Sequence, residues 1–389
     1  MVVVVVVVVV VCQSSASNRN HPHRLERFAF YLVAAALTVL DGPFWVYDLL
    51  RRAPIRLPDS DTWTDEEIIR AVESAPYLEG SDDKLVQISE DTVVKFGRDW
   101  DSTASEALAM ELVRKQTRIA VPRMRRAIRH HHPEGNGLIV MDFVPNSQQL
   151  RVAWPSLSVL GKLKVVLTMR FYLRQLRRVQ HSSSNNTPGP LGPTPLPCNG
   201  LQFGYDAKGP FPTISALETY FRKEHNAAED RASRGWAPSP NCKPLDASVF
   251  ASLIFTHNDL NMRNLLLDNH HVLWVVDWGF SGFYPPWFEY LGMRYAAQKD
   301  KDLESWQKCI RYMAEPAFEV EEWMKRIGYD FTDLPQAKVS QDEGPEEVGD
   351  TRLGSILVFS RRGSVGLEKW DKVPISSVKE EDNAHLVLN

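Results

Sequence analysis

The stretch that most constrains the fold of this chain runs from Phe255 to Phe280 and reads FTHNDLNMRNLLLDNHHVLWVVDWGF. Two apolar runs, residues 265–267 and 272–276, flank the polar turn 268–271 and predict the two buried strands of a β-hairpin. A hairpin of this size returns the end of its second strand to the start of its first. Polar residues just outside the two strands are therefore expected at one edge of a small sheet.

Three polar side chains are candidates for a site here, Asp259, Asn264 and Asp277, and the last two are expected at this edge. Asn264 and Asp277 offer oxygen ligands of the kind that Mg²⁺ prefers. Asp259 is expected to point into the same space from the other end of the loop. Phosphoryl transfer needs such an arrangement, with one carboxylate to orient or deprotonate the attacking hydroxyl and an Asn/Asp pair on the metal. Each residue alone would more often be an ordinary turn or cap residue, but the combination favours a catalytic site.

Upstream, Lys95 lies inside the apolar, strand-like run 92–97. Burying an unpaired ammonium group is costly, so a lysine at this place needs a partner or a function. The run alone would equally suit a lysine on the solvent face of a strand. A helix predicted over residues 103–117 carries two carboxylates within reach, Glu106 on the apolar face and Glu111 among more polar residues.

The pattern HNDLNMRN…VVDWG resembles the HGDxxxxN…IDW signature of the aminoglycoside phosphotransferase and choline kinase branch of the kinase-like fold. The resemblance implies an α+β, two-lobed protein-kinase-like fold, with a small antiparallel β-sheet N-lobe and a mainly helical C-lobe. It also implies ATP and Mg²⁺ as cofactors and a small-molecule hydroxyl as the phosphate acceptor. Two local departures are Asn258, where the family usually has glycine, and Gly279, where its fungal members often have glutamate.

The same resemblance implies a function for each candidate residue. Asp259 is expected to be the catalytic carboxylate, and Asn264 and Asp277 are expected to be the metal ligands. Lys95 is expected to bind the α- and β-phosphates. Glu106 is chosen as its partner, because the family places its pairing glutamate at the start of a similar EAxxMxxV pattern.

The run GLIVMDFVP, residues 137–145, predicts a buried strand that ends at a proline. In the family this strand leads into the hinge between the lobes, whose backbone holds the adenine. Asp142 and Phe143 fall at that junction and are expected to bind the cofactor. The basic run before it, residues 123–132, is interpreted as a solvated strand face.

Composition and the family resemblance together predict four parts of the chain. They are an N-terminal extension with a polyvaline tract and an apolar helix (1–57), a kinase-like N-lobe (58–145), a kinase-like C-lobe with the catalytic loop (146–332) and a polar tail predicted to be disordered (333–389).

The net charge of −4 gives no electrostatic argument for a nucleic-acid partner. The four cysteines are far apart and form no CxxC pair, which predicts a reducing, cytoplasmic location. The apolar stretch 28–40 is too short to span a bilayer unaided, so a docking or interfacial helix is favoured. Membrane association through residues 1–50 is the less favoured interpretation.

Two alternatives stay open for the function. A catalytically inactive kinase-like binding or scaffold module would be expected to lose Lys95, Asp259 or Asp277 first, and all three are present. A protein kinase usually carries a longer activation loop than the few residues between Asp277 and Pro285. The sequence does not identify the acceptor.

Overall fold

The computed structural model describes residues 22–50, 63–78, 84–180, 187–204 and 206–328. The polyvaline tract and the tail predicted to be disordered lie outside these ranges. The helices and strands are α1 (Pro22–Leu50), α2 (Asp65–Ser74), β1 (Leu85–Gln87), β2 (Thr92–Gly97), α3 (Trp100–Gln116), β3 (Met124–Ile128), β4 (Gly137–Asp142), β5 (Ser147–Gln149), α4 (Leu150–Ala153), α5 (Val159–Leu176), α6 (Ile214–Ser233), β6 (Ile254–Thr256), β7 (Leu265–Asp268), β8 (Leu273–Val275), β9 (Gly282–Tyr284), α7 (Trp287–Lys299), α8 (Glu304–Met313) and α9 (Phe318–Arg326).

The N-terminal lobe is built on an antiparallel sheet with the strand order β1-β2-β4-β3. Side chains alternate between the two faces of the sheet, so each face has its own apolar cluster. Val93 and Ile139 lie in the cluster that includes α3, whereas Val94 and Val140 lie in the cluster that includes α2. Lys95 has the same parity as Val93, and its side chain therefore lies on the α3 side of the sheet.

The two helices of this lobe begin at well-formed caps. Thr64 starts α2 with a capping box, in which Glu67 N–H donates to the threonine hydroxyl and Thr64 N–H donates to the Glu67 carboxylate. Asp99 caps α3 by accepting from the N–H of Ser102. The predicted helix over residues 103–117 is confirmed as α3, and its Glu106 is buried.

The C-terminal lobe is mainly helical and carries two small sheets, β5-β7-β8 and β6-β9. The predicted hairpin is confirmed, because β7 and β8 pair with Leu265 opposite Val275 and Leu267 opposite Leu273. Asp268 closes its turn by accepting from the N–H of Val272. The two-lobed α+β architecture expected from the sequence is therefore the architecture of the described residues.

Helix α1 packs against the C-terminal lobe. Phe30, Val33 and Leu37 are buried in its core cluster, and Phe30 stacks on Tyr312 of α8. Asp41, which lies on the same side of the helix, pairs with Arg170 of α5 at 2.8 Å. The apolar stretch is thus a docking helix. None of the helices in the described ranges combines the length and the apolar character needed to cross a bilayer.

Candidate active site

The loop between β6 and β7 is organised by its own side chains. Asn261 accepts hydrogen bonds from the N–H groups of Arg263, at 2.9 Å, and Asn264, at 3.2 Å. Its amide group also donates to Oδ1 of Asp259 at 3.0 Å. A short polar side chain that binds the backbone a few residues on is a common way to fix a turn. The loop therefore presents Asp259 and Asn264 in a defined geometry.

The carboxylate of Asp259 accepts from two amide side chains, Asn261 on Oδ1 and Asn264 on Oδ2, each at 3.0 Å. Burial raises the pKa of Asp259 to about 7, and the negative charge of Asp277 also raises it. The positive charge of Arg263 and the two amide hydrogen bonds lower this pKa, but by less. A carboxylate whose pKa lies near neutrality is suited to accept a proton at working pH.

Asn264 and Asp277 lie at the same end of the hairpin, where the N–H of Val276 donates to the Asn264 carbonyl at 3.0 Å. Asn264 directs its Nδ2 to Asp259, which leaves Oδ1 of the amide without a donor among the described residues. Asp277 has a φ of 63° and is half exposed, with Oδ1 on Lys95. The described residues offer no donor to its second oxygen either.

The ammonium group of Lys95 contacts two carboxylates at once, Glu106 and Asp277, each at 2.7 Å. Burial alone would lower the pKa of Lys95, but the two carboxylates outweigh it and raise the pKa above its ordinary value. Desolvation would raise the pKa of Asp277, but the Lys95 ammonium holds it below its ordinary value. Glu106, not Glu111, is the helix α3 carboxylate that contacts Lys95; Glu111 pairs with Lys115.

A buried carboxylate braces the loop from behind. Glu289 of α7 accepts from the N–H of His257 at 2.7 Å and from the N–H of Asn258 at 3.2 Å. Burial raises the pKa of Glu289 to about 7, against these two hydrogen bonds. This brace is not among the features predicted from the sequence, although a glutamate inside the aromatic run WFEYLGMRY is a signal that could have pointed to it.

His257 is a second brace. Its ring contacts the Val276 carbonyl through Nε2 at 3.0 Å and accepts from the N–H of Asp259 through Nδ1 at 3.3 Å. Burial lowers the pKa of His257 to about 4, so the ring is neutral at pH 7. It joins the loop to the end of β8 and holds Asp259 near Asp277.

Asp142 and Phe143, the two residues expected at the hinge, have engaged N–H groups. Asp142 donates to the carbonyl of Arg123 at 2.9 Å, and Phe143 donates to the carbonyl of Asp91 at 2.8 Å. The Asp142 carboxylate accepts from Arg125 at 2.7 Å. Neither N–H is open to a base, whereas the N–H of Val144 has no acceptor among the described residues.

The expectation for the basic run is wrong at Arg125, although Arg129 and His131 are exposed. The run 123–132 was expected to form a solvated strand face, but the side chain of Arg125 is only 3% exposed. It lies between the carboxylates of Asp91 and Asp142. Arg125 can be buried because one carboxylate upstream of the run and one downstream pair with it. A hydrophobic pattern does not reveal such ion-pair partners.

A cavity of about 730 Å³ lies elsewhere, between the start of α1 and the C-terminal lobe. Phe30, Trp287 and Phe318 are part of its wall, and none of the seven candidate site residues lines it. Within the described ranges, no group of three or more His, Cys, Asp or Glu side chains is arranged to hold a metal. A cation at Asn264 and Asp277 would therefore need further oxygen ligands from a substrate or from water, as Mg²⁺ commonly takes.

A family model described as the phosphotransferase enzyme family matches residues 75–304, more than half of the chain. No curated protein matches the sequence significantly. Among solved structures, a gentamicin complex of APH(2")-IIa is 14% identical with a TM-score of 0.40, covering 70% of this chain and 86% of that one. ADP-bound aminoglycoside phosphotransferase APH(2'')-Ib is 14% identical with a TM-score of 0.40, covering 69% of this chain and 93% of that one. Choline kinase LicA from Streptococcus pneumoniae is 13% identical with a TM-score of 0.36, covering 67% of this chain and 87% of that one.

Proposed function

This chain belongs to the phosphotransferase enzyme family, and we propose that it transfers the γ-phosphate of ATP to a hydroxyl group of a small molecule in a Mg²⁺-dependent reaction. The observation that carries the proposal is the joining of four groups from both lobes at one place. Asp259 and Asn264 are hydrogen-bonded on one loop, and Asp277 at the end of β8 is ion-paired to Lys95 of β2. Phosphoryl transfer depends mainly on such positioning and on charge stabilisation.

Each residue has a distinct task in this proposal. Asp259 orients the acceptor hydroxyl and takes its proton, for which a pKa near 7 is suitable. Lys95 binds the α- and β-phosphates, and Glu106 holds the ammonium group in place. The N–H of Val144 is open to donate a hydrogen bond to a base edge, in place of the engaged N–H groups of Asp142 and Phe143.

The residues at the end of the hairpin fit a hard divalent cation. Oδ1 of Asn264 and the second carboxylate oxygen of Asp277 are oxygen atoms without a donor among the described residues, and Mg²⁺ selects oxygen ligands. When bound, Mg²⁺ would neutralise charge on the phosphates of the nucleotide. The protein's own contribution is to hold these two oxygens at fixed positions, through the hydrogen bonds of Asn264 to Asp259 and of Val276 to Asn264.

The first test is calorimetric titration of the full chain with ATP, with and without Mg²⁺. The full chain is needed because α1 is packed into the C-terminal lobe. We expect ATP binding that requires Mg²⁺ in the wild type and that is lost in Asp277→Ala, because the variant lacks a proposed metal ligand. Asp206→Ala, which alters an exposed aspartate outside the site, is expected to behave like the wild type.

The titration also separates the alternatives. A wild-type chain that binds no ATP at millimolar concentration contradicts the proposed enzyme and leaves the inactive scaffold module as the better interpretation. A chain that binds Mg²⁺ and ATP normally is then screened with small hydroxyl compounds and with protein substrates. Phosphate incorporation into protein, and not into small molecules, would identify a protein kinase.

A further inference from the structure

Arg125 occupies a β-bulge at the end of the N-terminal sheet. Met124 pairs with Met141 and Arg126 pairs with Val140, so Arg125 is the extra residue between two consecutive partners on β4. A bulge takes one side chain out of the normal alternation and re-aims it. Here the re-aimed side chain is a guanidinium group that is almost fully buried.

The guanidinium group binds three residues through separate nitrogen atoms. Nε donates to Oδ1 of Asp142 at 2.7 Å, Nη1 donates to the hydroxyl of Thr92 at 2.8 Å, and Nη2 donates to Oδ2 of Asp91 at 2.9 Å. Nη2 also lies 3.1 Å from the carbonyl oxygen of Asp91. The planar fork of an arginine is needed to satisfy such a set, because a lysine is a single point charge.

These contacts join the hinge to the strand that carries Lys95. Asp142 is the last residue of β4, where the hinge begins, and Thr92 is the first residue of β2. The carbonyl of Asp91 accepts both from Arg125 and from the N–H of Phe143, at 2.8 Å. The Arg125 side chain therefore joins the start of β2 to the hinge in addition to the backbone hydrogen bond from Phe143 to Asp91 and the pairing of Thr92 with Asp142.

We propose that Arg125 is a positioning residue for the nucleotide base. It keeps the hinge backbone in register with β2, so that a base on the hinge and phosphates at Lys95 can be bound together. The proposal rests on the proposed function, since it assumes that a nucleotide spans these two places. Loss of the guanidinium group would leave Asp91 and Asp142 as two carboxylates without the cation between them, although Arg123 still lies 3.5 Å from Asp142.

The test compares two probes that share phosphates and differ in the base. Mg²⁺ with ATP reports on both subsites, and Mg²⁺ with inorganic tripolyphosphate reports on the phosphate subsite alone. For Arg125→Met we expect ATP affinity to fall about tenfold or more, as a displaced binding group would cause, while tripolyphosphate affinity changes by less than about twofold. Arg126→Met is the matched control: it removes the same charge from the next residue, whose partner Asp65 lies on α2, and should change neither affinity.

Some results would overturn the proposal. They are an unchanged ATP affinity in Arg125→Met, an equal loss for both probes, or a wild type that binds ATP but not tripolyphosphate. If Arg125→Met does not fold, Asp91→Asn replaces it, because Asp91 lies on a half-exposed turn. That variant should weaken ATP about threefold and leave tripolyphosphate unchanged, since one charged partner of the guanidinium group is lost, and equal behaviour to the wild type would reject the proposal. A wild type that binds neither probe refutes the proposed function itself, whereas a selective failure in the variants refutes only the part assigned to Arg125.

Discussion

The ammonium nitrogen of Lys95 lies 2.7 Å from the carboxylate of Glu106, and the two residues are eleven positions apart in the chain. Strand β2 and helix α3 bring them together because Lys95 lies on the α3 face of the sheet and Glu106 lies on the buried face of the helix. Without Glu106 the ammonium group would rest on Asp277 alone. Because Glu106 shares the ammonium group, Asp277 is held less strongly by Lys95 than it would be alone and is more accessible to a cation.

The first prediction concerns this pair. Glu106→Gln keeps the size of the side chain and removes its charge, so Lys95 should shift toward Asp277. We expect the affinity for ATP with Mg²⁺, measured by calorimetry, to fall about tenfold, a loss typical for one positioned charge. Glu111→Gln on the same helix removes a charge that pairs with Lys115 at the surface, and it should leave the affinity unchanged. Equal losses in the two variants would contradict the pairing as a functional feature.

The second prediction concerns pH. Asp259 must be ionised to take a proton, and its pKa is raised to about 7 from an ordinary value of 3.8. Because the active form is the deprotonated one, the rate of ATP consumption should fall as the pH drops through about 7, well above the range in which a solvated aspartate titrates. The measurement is a rate profile between about pH 5 and 9 at saturating ATP and Mg²⁺. A rate that stays constant from about pH 8 down to about pH 5 would contradict the assignment.

Substitution of Asp259 provides an independent check. Asp259→Asn keeps a hydrogen-bonding side chain that cannot accept the proton, so the rate should fall by about 10² to 10⁴, the usual contribution of a general base. ATP affinity should be retained, because the phosphates are bound by other residues. Asp206→Asn is the surface control. A variant that loses ATP binding together with the rate would indicate a binding or folding function for Asp259 instead.

The parts of the site that the sequence predicted share one property. The hairpin β7–β8 and helix α3 were predicted from hydrophobic periodicity, which can be recognised within a short window of sequence. Positions that depend on local elements, such as those of Asn264, Asp277 and Glu106, could therefore be predicted before the structure.

The parts that were missed depend on distant partners. Glu289 braces the loop across 32 positions from His257, and no local pattern marks a glutamate for that use. Arg125 is buried because a bulge re-aims it and because Asp91 and Asp142 receive it. Bulges and long-range ion pairs are set by tertiary packing, so a strand pattern places such an arginine in solvent.

The third prediction concerns α1, which lies outside the residues 75–304 that match the family model. Asp41 accepts two hydrogen bonds from Arg170, at 3.0 and 2.8 Å, and it also pairs with Arg174. Asp41→Asn leaves Arg170 largely buried without its counter-charge. We expect a loss of about 2 kcal/mol in the free energy of unfolding, somewhat below the cost of breaking a fully buried pair.

Urea unfolding of the full chain measures this loss. Asp65→Asn is the control, because Asp65 is half exposed and its pair with Arg126 should be worth less than about 1 kcal/mol. A chain that begins at Pro58 should unfold at a lower urea concentration still, since it also uncovers the apolar groups that Phe30 and Leu37 protect. A truncated chain as stable as the full one would show that α1 adds nothing to the lobe.

The last prediction concerns Asn258, which stands where the family usually has glycine. Its φ is 66°, in the left-handed region, where glycine is unstrained and asparagine is better tolerated than other residues. A hydrogen bond also holds the Asn258 side chain in position: Nδ2 donates to the Asn199 carbonyl at 2.9 Å. A Cβ on Gly200 would lie only 2.5 Å from that nitrogen, so the glycine at 200 makes room for the asparagine at 258.

Two substitutions separate these contributions. Asn258→Gly and Asn258→Ala both lose the hydrogen bond to Asn199, but only alanine also carries the strain of a positive φ. We therefore expect alanine to lower the free energy of unfolding by about 1 kcal/mol more than glycine does. Urea unfolding compares the two, and the rate of ATP consumption should follow the same order because Asp259 is the next residue. If alanine were as stable as glycine, the backbone at 258 would not be held in the left-handed region.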